Sequence, residues 1–373
     1  MKIAFFANPE GIHDCKWINK IAENATCILI ANSNANLDNV GVSKSIPIFP
    51  IIPNTVPLLD RKKFKIVKGQ IADLLKSHKI DICHSMYAYP YSIWPMEINF
   101  QKHIITTRGS DILIDLDITL KSGNNLKEKI AHKFLRRKML KALESASNIT
   151  CTSSKQANRV KSYISNQNKC EVLYTGLDIK KLSDYFTSAQ RKNQERYIFS
   201  PRSMAALYNI ELIVEAFHLF LKEHPQFKLK LINNNGNSAY YRKIHELTNS
   251  LQISDKIDWI EKVNLSEMVS LYKNAACTVM TPHSDGTPNS AIESMFCETP
   301  VILGALDYDS KLFNDNTCIR LQENSVNSLY LAMKESVDIS KTDHLVKNAK
   351  SVVTINADLQ SSIDRIMKIY QNL

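Results

Sequence analysis

The sequence predicts an α/β protein made of two doubly wound, Rossmann-like domains. Three observations carry this expectation. Strand-sized apolar runs alternate with helical patterns from end to end, and the alternation restarts halfway. A polar stretch, Thr187–Arg196, lacks apolar periodicity and separates the two runs. The turn-rich motifs that carry charged side chains fall at strand ends, where open parallel sheets receive ligands. At 373 residues the chain is also long for one hydrophobic core. The domains are therefore placed at residues 1–187 and 188–373.

In the first domain, strands are expected at Lys2–Asn8, Cys27–Ala31, Ile80–His84, His103–Thr107, Asn148–Ser153 and Glu171–Tyr174. Each is a short apolar run bounded by polar or turn residues. Helical spacing marks Trp17–Glu23 and Lys63–Leu75 between them. In the second domain, strands are expected at Tyr197–Ser200, Phe227–Ile232, Ile257–Ile260, Cys277–Met280, Pro300–Leu303 and Cys318–Leu321. Helices fall at Ile210–Glu223, Ala239–Leu251 and Leu265–Ala275. The closing segment Ser361–Leu373 is amphipathic and reads as a helix that crosses back to the first domain.

Composition narrows the class. Hydrophobic content of 44% and charged content of 23% are ordinary for a globular chain. No apolar run reaches eighteen residues, so no transmembrane helix is expected. The opening Met-Lys-Ile-Ala-Phe-Phe-Ala reads as a strand rather than a signal peptide. Eight cysteines are scattered with no Cys-x-x-Cys pair, which fits reduced, buried thiols in the cytoplasm and argues against zinc or disulfides. The formal charge of +10 is uneven: residues 1–181 hold 27 basic and 15 acidic side chains, the remainder 20 and 22. A basic first half suits an anionic partner, either a membrane surface or a phosphate-bearing acceptor. Lysine-rich composition of the whole chain explains the same count. Basic residues are not interleaved with a stacking platform, so no nucleic-acid partner is expected.

The most telling stretch runs from Ser284 to Met295 (Ser-Asp-Gly-Thr-Pro-Asn-Ser-Ala-Ile-Glu-Ser-Met). It follows an apolar strand, turns through Asp285-Gly286-Thr287-Pro288, and enters a helix holding Glu293 about one turn inside. A helix N-terminus offers unpaired N–H groups and the positive end of the dipole to an anion. The two carboxylates suit hydroxyl groups instead. Together they suggest a nucleotide-sugar site.

The whole layout resembles the retaining glycosyltransferases of family 4, which have the GT-B fold: two Rossmann-like domains facing across a cleft. Their paired-glutamate motif keeps its spacing here as Asp285-x7-Glu293, followed by Thr299-Pro300-Val301-Ile302, with Asp in place of the first Glu. The resemblance implies that Glu293 holds ribose hydroxyls and Asp285 the donor sugar. It also turns the backbone of Gly286, Thr287, Pro288 and Asn289 towards phosphate or sugar. The family uses Arg and then Lys at an earlier strand-to-helix turn to neutralise the diphosphate. Arg202 fits the first role, and its planar fork suits phosphate oxygens. Tyr208 stands near the place of the missing Lys, so either its hydroxyl or another cation such as Lys262 helps. The loop Asn233–Asn237, with Asn234 and Gly236, lies near the base by the same resemblance, or is only a turn.

In the first domain the resemblance places Gly11 in a loop near the donor phosphates and the acceptor, and His13 either touches the acceptor or is a solvent-facing or packing histidine. Three glycines spaced for a dinucleotide are absent, so NAD and FAD are not expected. His84 and Tyr87 end a strand beside Tyr89, Tyr91 and Trp94, either an acceptor surface or core aromatics. Arg108 stands where many relatives have His. It remains protonated and cannot act as a base, but suits a departing phosphate or an anionic acceptor. Ser110 and Asp111 either cap the next element or bind the acceptor. Catalytic candidates are thus Arg202, Asp285 and Arg108. The basic amphipathic segment Leu126–Leu143 suits a lipid surface, or packs on the sheet with a solvated face.

The implied activity is a metal-independent hexosyl transfer from a nucleotide sugar, most simply a UDP-sugar, to a glycan acceptor on a lipid carrier. The setting would be capsule or lipopolysaccharide assembly at the inner face of the membrane. No cofactor is expected, and no pyridoxal lysine motif is evident. A nucleotide-sugar 2-epimerase or a phosphorylase of the same fold, and a non-catalytic sugar-binding relative, are the alternatives.

Overall fold

The computed structural model describes residues 1–57, 60–116, 126–190, 196–233 and 238–373. They form two compact units, one of residues 1–175 with 361–373, the other of residues 176–360.

The first unit is a seven-stranded sheet. Its strands are β1 (Lys2–Phe6), β2 (Thr26–Asn32), β3 (Ile48–Ile52), β4 (Ile82–Ser85), β5 (His103–Thr107), β6 (Asn148–Cys151) and β7 (Cys170–Val172). Helices α1 (Ile12–Ala22), α2 (Arg61–Ser77), α3 (Ile93–Ile98), α4 (Leu126–Ser145) and α5 (Ser154–Lys161) lie between them. The order is β3-β2-β1-β4-β5-β6-β7, with every pair parallel. Ile3, Ala4, Phe5 and Phe6 of the central β1 are all fully buried. That follows from helices covering both faces, which makes a central parallel strand a continuous apolar run instead of an alternating one. β3 escapes prediction because Pro47, Pro50 and Pro53 punctuate it. An edge strand needs fewer N–H donors, so the edge is where such a run is admitted.

The second unit repeats the plan. It contains α6 (Ile179–Ser188), β8 (Tyr197–Ser200), α7 (Ile210–Leu221), β9 (Lys228–Ile232), α8 (Ala239–Ser250), β10 (Ile257–Ile260), α9 (Leu265–Asn274), β11 (Cys277–Met280), α10 (Asn289–Phe296), β12 (Val301–Leu303), β13 (Ile319–Arg320), α11 (Val326–Ser336) and α12 (Ile339–Asn356). Its order is β10-β9-β8-β11-β12-β13, again all parallel. Helix starts are set by local chemistry. Ser238 and Ser325 cap α8 and α11, and Asn264 with Glu267 closes a capping box at α9.

The division between units falls at Thr175–Gly176, ahead of α6, and not at residue 187. The reason is that α6 packs on the second unit: Lys273 Nζ donates to the carbonyls of Phe186 (2.6 Å) and Ala189 (2.8 Å). The polar stretch after it joins α6 to β8 inside that unit. The last helix, α13 (Leu359–Gln371), begins at the edge of the second unit, and its residues from Ser361 onward belong to the first. There Tyr370 Oη and His84 Nδ1 lie 2.6 Å apart, and Ser362 Oγ donates to the Tyr174 carbonyl at 3.0 Å.

Each sheet reverses its winding once, between β1 and β4 in the first unit and between β8 and β11 in the second. The loops leaving adjacent strands part there in opposite directions and leave a crevice at the carboxyl edge. Arg202 leaves β8 and Asp285 leaves β11, so the topology brings together two residues 83 positions apart in sequence.

Candidate functional site

The second unit gathers the most chemistry. Arg202 Nη2 lies 3.1 Å from Asp285 Oδ2, and Arg202 Nη1 donates to Ser290 Oγ at 3.0 Å. The guanidinium carbon sits 4.2 Å from the ring centre of Tyr208. Tyr208 thus presents its face beneath the cation. Lys262, the other cation considered, follows β10, two strands away from β8. Both side chains of the Arg202–Asp285 pair are mostly withdrawn from water, with 17% and 16% exposed.

Burial pushes the Asp285 carboxyl above its ordinary range, against the lowering effect of Arg202 and the backbone N–H groups of Gly286 and Thr287. Gly286 N–H donates to Asp285 Oδ1 at 2.8 Å. The amides of Gly286 and Thr287 are thus directed at the Asp285 carboxylate. Pro288 occupies the N-cap of α10 without a side-chain cap, and Asn289 is the first helical residue. The positive end of α10 therefore lies beside the Arg202–Asp285 pair.

Glu293, inside α10, accepts from Tyr272 Oη at 3.1 Å. Tyr272 is fully buried, and its phenol is raised first by burial and then by Glu293. Tyr272 escaped sequence reasoning because nothing in its local sequence marks it, and Ser290, though inside the quoted stretch, had no role assigned; the fold brings Tyr272 to Glu293 and Ser290 to Arg202. Asn234 and Gly236 lie outside the described residues.

The first unit holds a second buried pair. Arg108 Nε donates to Asp14 Oδ1 at 2.9 Å, with only 5% and 4% of the two side chains exposed. Arg108 Nη1 donates to Thr175 Oγ1 at 3.2 Å, and Trp17 Nε1 donates to the Thr175 carbonyl at 2.7 Å. The guanidinium also faces the Trp17 ring at 5.3 Å. Burial, only partly offset by Arg108, raises Asp14 to about 6. Asp14, Trp17 and Thr175 were not singled out in the sequence; an Asp at the start of a helix reads as an ordinary first-turn residue.

The first-unit candidates take the following places. His84 is fully buried, with Nδ1 on Tyr370 and Nε2 on Thr106 Oγ1 (2.7 Å), so neither nitrogen is open to an acceptor. Burial, and then Arg108, holds its pKa well below the ordinary histidine value. Asp111 is buried and accepts from the N–H groups of Ala88 (2.8 Å), Arg108 (3.2 Å), Gly109 (2.9 Å) and Ile112 (3.1 Å). Of its two readings, the structure takes the capping one. Ser110 is exposed and makes no cap bond. Tyr91 and Trp94 are core residues, Trp94 stacking on Phe64 at 5.2 Å. Tyr87 is half-buried, and burial pushes its phenol up to about 12. Gly11 is the N-cap of α1 and His13 is exposed in the first turn.

Among the described residues no cluster of His, Cys, Asp and Glu is arranged to hold a metal ion, and no helix is long and apolar enough to cross a membrane. A groove of about 620 Å³ lies by the C-terminal end of α7, lined by Glu223, Lys334 and Asp338 among others, and shares no residue with either charged pair.

The architecture is two doubly wound parallel sheets with charged pairs at strand ends, and comparison with known proteins gives it a family. Residues 2–153 match the family model for glycosyl transferase 4-like proteins, and residues 183–352 match that for glycosyl transferases group 1. The chain belongs to the family 4-like glycosyltransferases of the GT-B fold. It is 23% identical over 340 residues to an uncharacterized glycosyltransferase of Methanocaldococcus jannaschii, covering 87% of this chain and 85% of that one. HepE of Anabaena, solved in complex with UDP, superposes with a TM-score of 0.78 over all of both chains at 13% identity. WaaG, a glycosyltransferase involved in lipopolysaccharide biosynthesis, gives 0.70 over 99% of both at 13% identity. At such identities the two structures attest to the fold.

Proposed function

We propose that this chain is a retaining, metal-independent hexosyltransferase that moves a hexose from a UDP-sugar to a hydroxyl of a lipid-linked glycan in bacterial capsule or lipopolysaccharide assembly. One observation carries the reading: at the switch point of the second sheet, a half-buried guanidinium and a half-buried carboxylate face the start of a helix that holds Glu293. Arg202 neutralises the diphosphate, Asp285 holds the hexose, and Glu293 accepts from the ribose hydroxyls. Arg202 also stabilises the charge that grows on the departing phosphate, the kind of preorganised electrostatic effect that dominates many enzymes.

The hexose C1–O bond to phosphate breaks as the acceptor oxygen bonds C1 on the same face. The acceptor proton passes to the departing phosphate oxygen, so no enzymic base is required. HepE's complex with UDP supports the choice of nucleotide, and WaaG's pathway supports the choice of acceptor class. Peripheral membrane contact at the cytoplasmic face is supported by α4, where Ile130 and Phe134 stand exposed among Lys129, Lys133 and Arg137.

Calorimetry tests the site. Glu293→Gln retains an acceptor for Tyr272, so the fold is kept while the charge is lost. The expected result is UDP binding weakened by at least about 10-fold, the loss typical of a hydrogen bond to a charged group. Equal affinity in the variant, or no binding of UDP by the native chain, would sink this assignment.

A further inference from the structure

Among the buried polar atoms of the second unit that have no hydrogen-bond partner within the described residues are Arg202 Nε, Thr287 Oγ1 and Tyr308 Oη. They leave the sheet from β8, β11 and β12, which are neighbours in one parallel sheet, so all three loops emerge from the same edge. The loops are tied together there. Arg202 holds Asp285, and the N–H of Asp309 donates to the Gly286 carbonyl at 3.2 Å. Tyr308 is only 4% exposed, and its ring is set edge-on to Phe313 at 5.9 Å. Asp285 and Arg202 both act electrostatically on its phenol, the first raising and the second lowering its pKa, after burial as the largest cause.

A buried polar group left unpaired costs stability, and native structures rarely keep one without a use. Three beside one ion pair describe a site whose own atoms leave its hydrogen bonding unfinished. The guanidinium can only donate, whereas both hydroxyls can donate or accept. A partner common to all three must therefore be rich in acceptors, and beside a cation it is best anionic. A phosphoryl group meets both requirements.

We propose that Tyr308 is a ligand-contacting residue whose hydroxyl donates to the diphosphate of the nucleotide donor, alongside Arg202 and Thr287. This rests on the reading of the second unit as the nucleotide-sugar site. Tyr308 lies in the loop after β12, outside the motif that the sequence singles out. A tyrosine in a loop is unremarkable until burial and the missing partner are seen.

The test is Tyr308→Phe, measured with and without ligand. Without ligand, the variant is expected to melt no lower than the native chain, because only an unpaired hydroxyl is removed. With UDP and with inorganic pyrophosphate, affinity is expected to fall by about 10- to 100-fold, as for loss of one charge-assisted bond. Uridine is expected to bind both proteins equally. A lower melting temperature without ligand would make the hydroxyl structural and overturn the inference. So would unchanged affinity for UDP in the variant while the native chain binds it, an equal loss with uridine, or a loss confined to UDP-sugar. Failure of the native chain to bind UDP at all overturns both this inference and the reading beneath it.

Discussion

Arg202 makes three contacts with one guanidinium: a carboxylate, a serine hydroxyl and a tyrosine ring. No single substitution reproduces all three, since lysine lacks the planar fork. Arg202→Ala is expected to lower turnover by about 10- to 1000-fold, the loss usual for a charge-stabilising donor, while UDP-sugar remains the preferred donor. Steady-state rates with a range of nucleotide sugars check this; near-normal turnover would remove Arg202 from the chemistry. Asp14 offers a different measurement. Its folded pKa of about 6 lies above the ordinary 3.8, so the folded chain keeps a proton that the unfolded chain releases. Stability from this group is therefore present at acid pH and declines as pH rises from about 4 to about 6. Relative to Asp14→Asn, the native chain should lose on the order of 3 kcal/mol between pH 4 and pH 7, from about two pKa units. Urea midpoints at several pH values read that difference, and a constant gap would reject it. Arg202 and Asp285 stood out in the sequence because each follows a strand in a turn, and Glu293 because of its spacing from Asp285 in the helix that comes next. Asp14, Tyr272 and Tyr308 stayed hidden because their importance is tertiary: a partner distant in the chain, or the lack of one.

At the scale of elements, the strand ends decide which residues meet. Strand β11 places Asp285, and β12 delivers the loop that reaches back to Gly286. Most strands were legible because buried parallel strands are unbroken apolar runs. Strand β3 was not, since its prolines imitate a loop. The division between the units was misplaced for a related reason: the polar stretch at 187–196 looks like a linker, yet the helix before it is already fastened to Lys273. The true crossing is marked by Gly176, whose φ of +76° favours glycine, and where a Cβ would meet the Leu359 Cα at 2.7 Å. Two hydrogen bonds flank it, Leu177 N–H to the Ala357 carbonyl and Leu359 N–H to the Leu177 carbonyl. Gly176→Ala is expected to cost at least about 2 kcal/mol, combining a left-handed backbone with a backbone collision. Chemical denaturation gives the value, and a loss below about 0.5 kcal/mol would show that the crossing relaxes freely.

For the molecule as a whole, the first unit is completed by its last thirteen residues. Ile363, Ile366 and Tyr370 are buried there, and Tyr370 meets His84. A chain ending at Gln360 would leave that imidazole nitrogen unpaired and uncover apolar surface. Hydrogen exchange on this truncation should show lost protection in β1, β4 and β5, with β8 to β12 largely retained. Uniform protection across both units would refute the dependence. The same connectivity constrains synthesis on the ribosome. Residues 1–175 emerge first, but the segment that finishes their coat is translated only after the second unit. The early half must wait, partly uncovered, while the later half is made and closes upon itself. Termination just before Ser361 would therefore damage the beginning of the protein more than its middle.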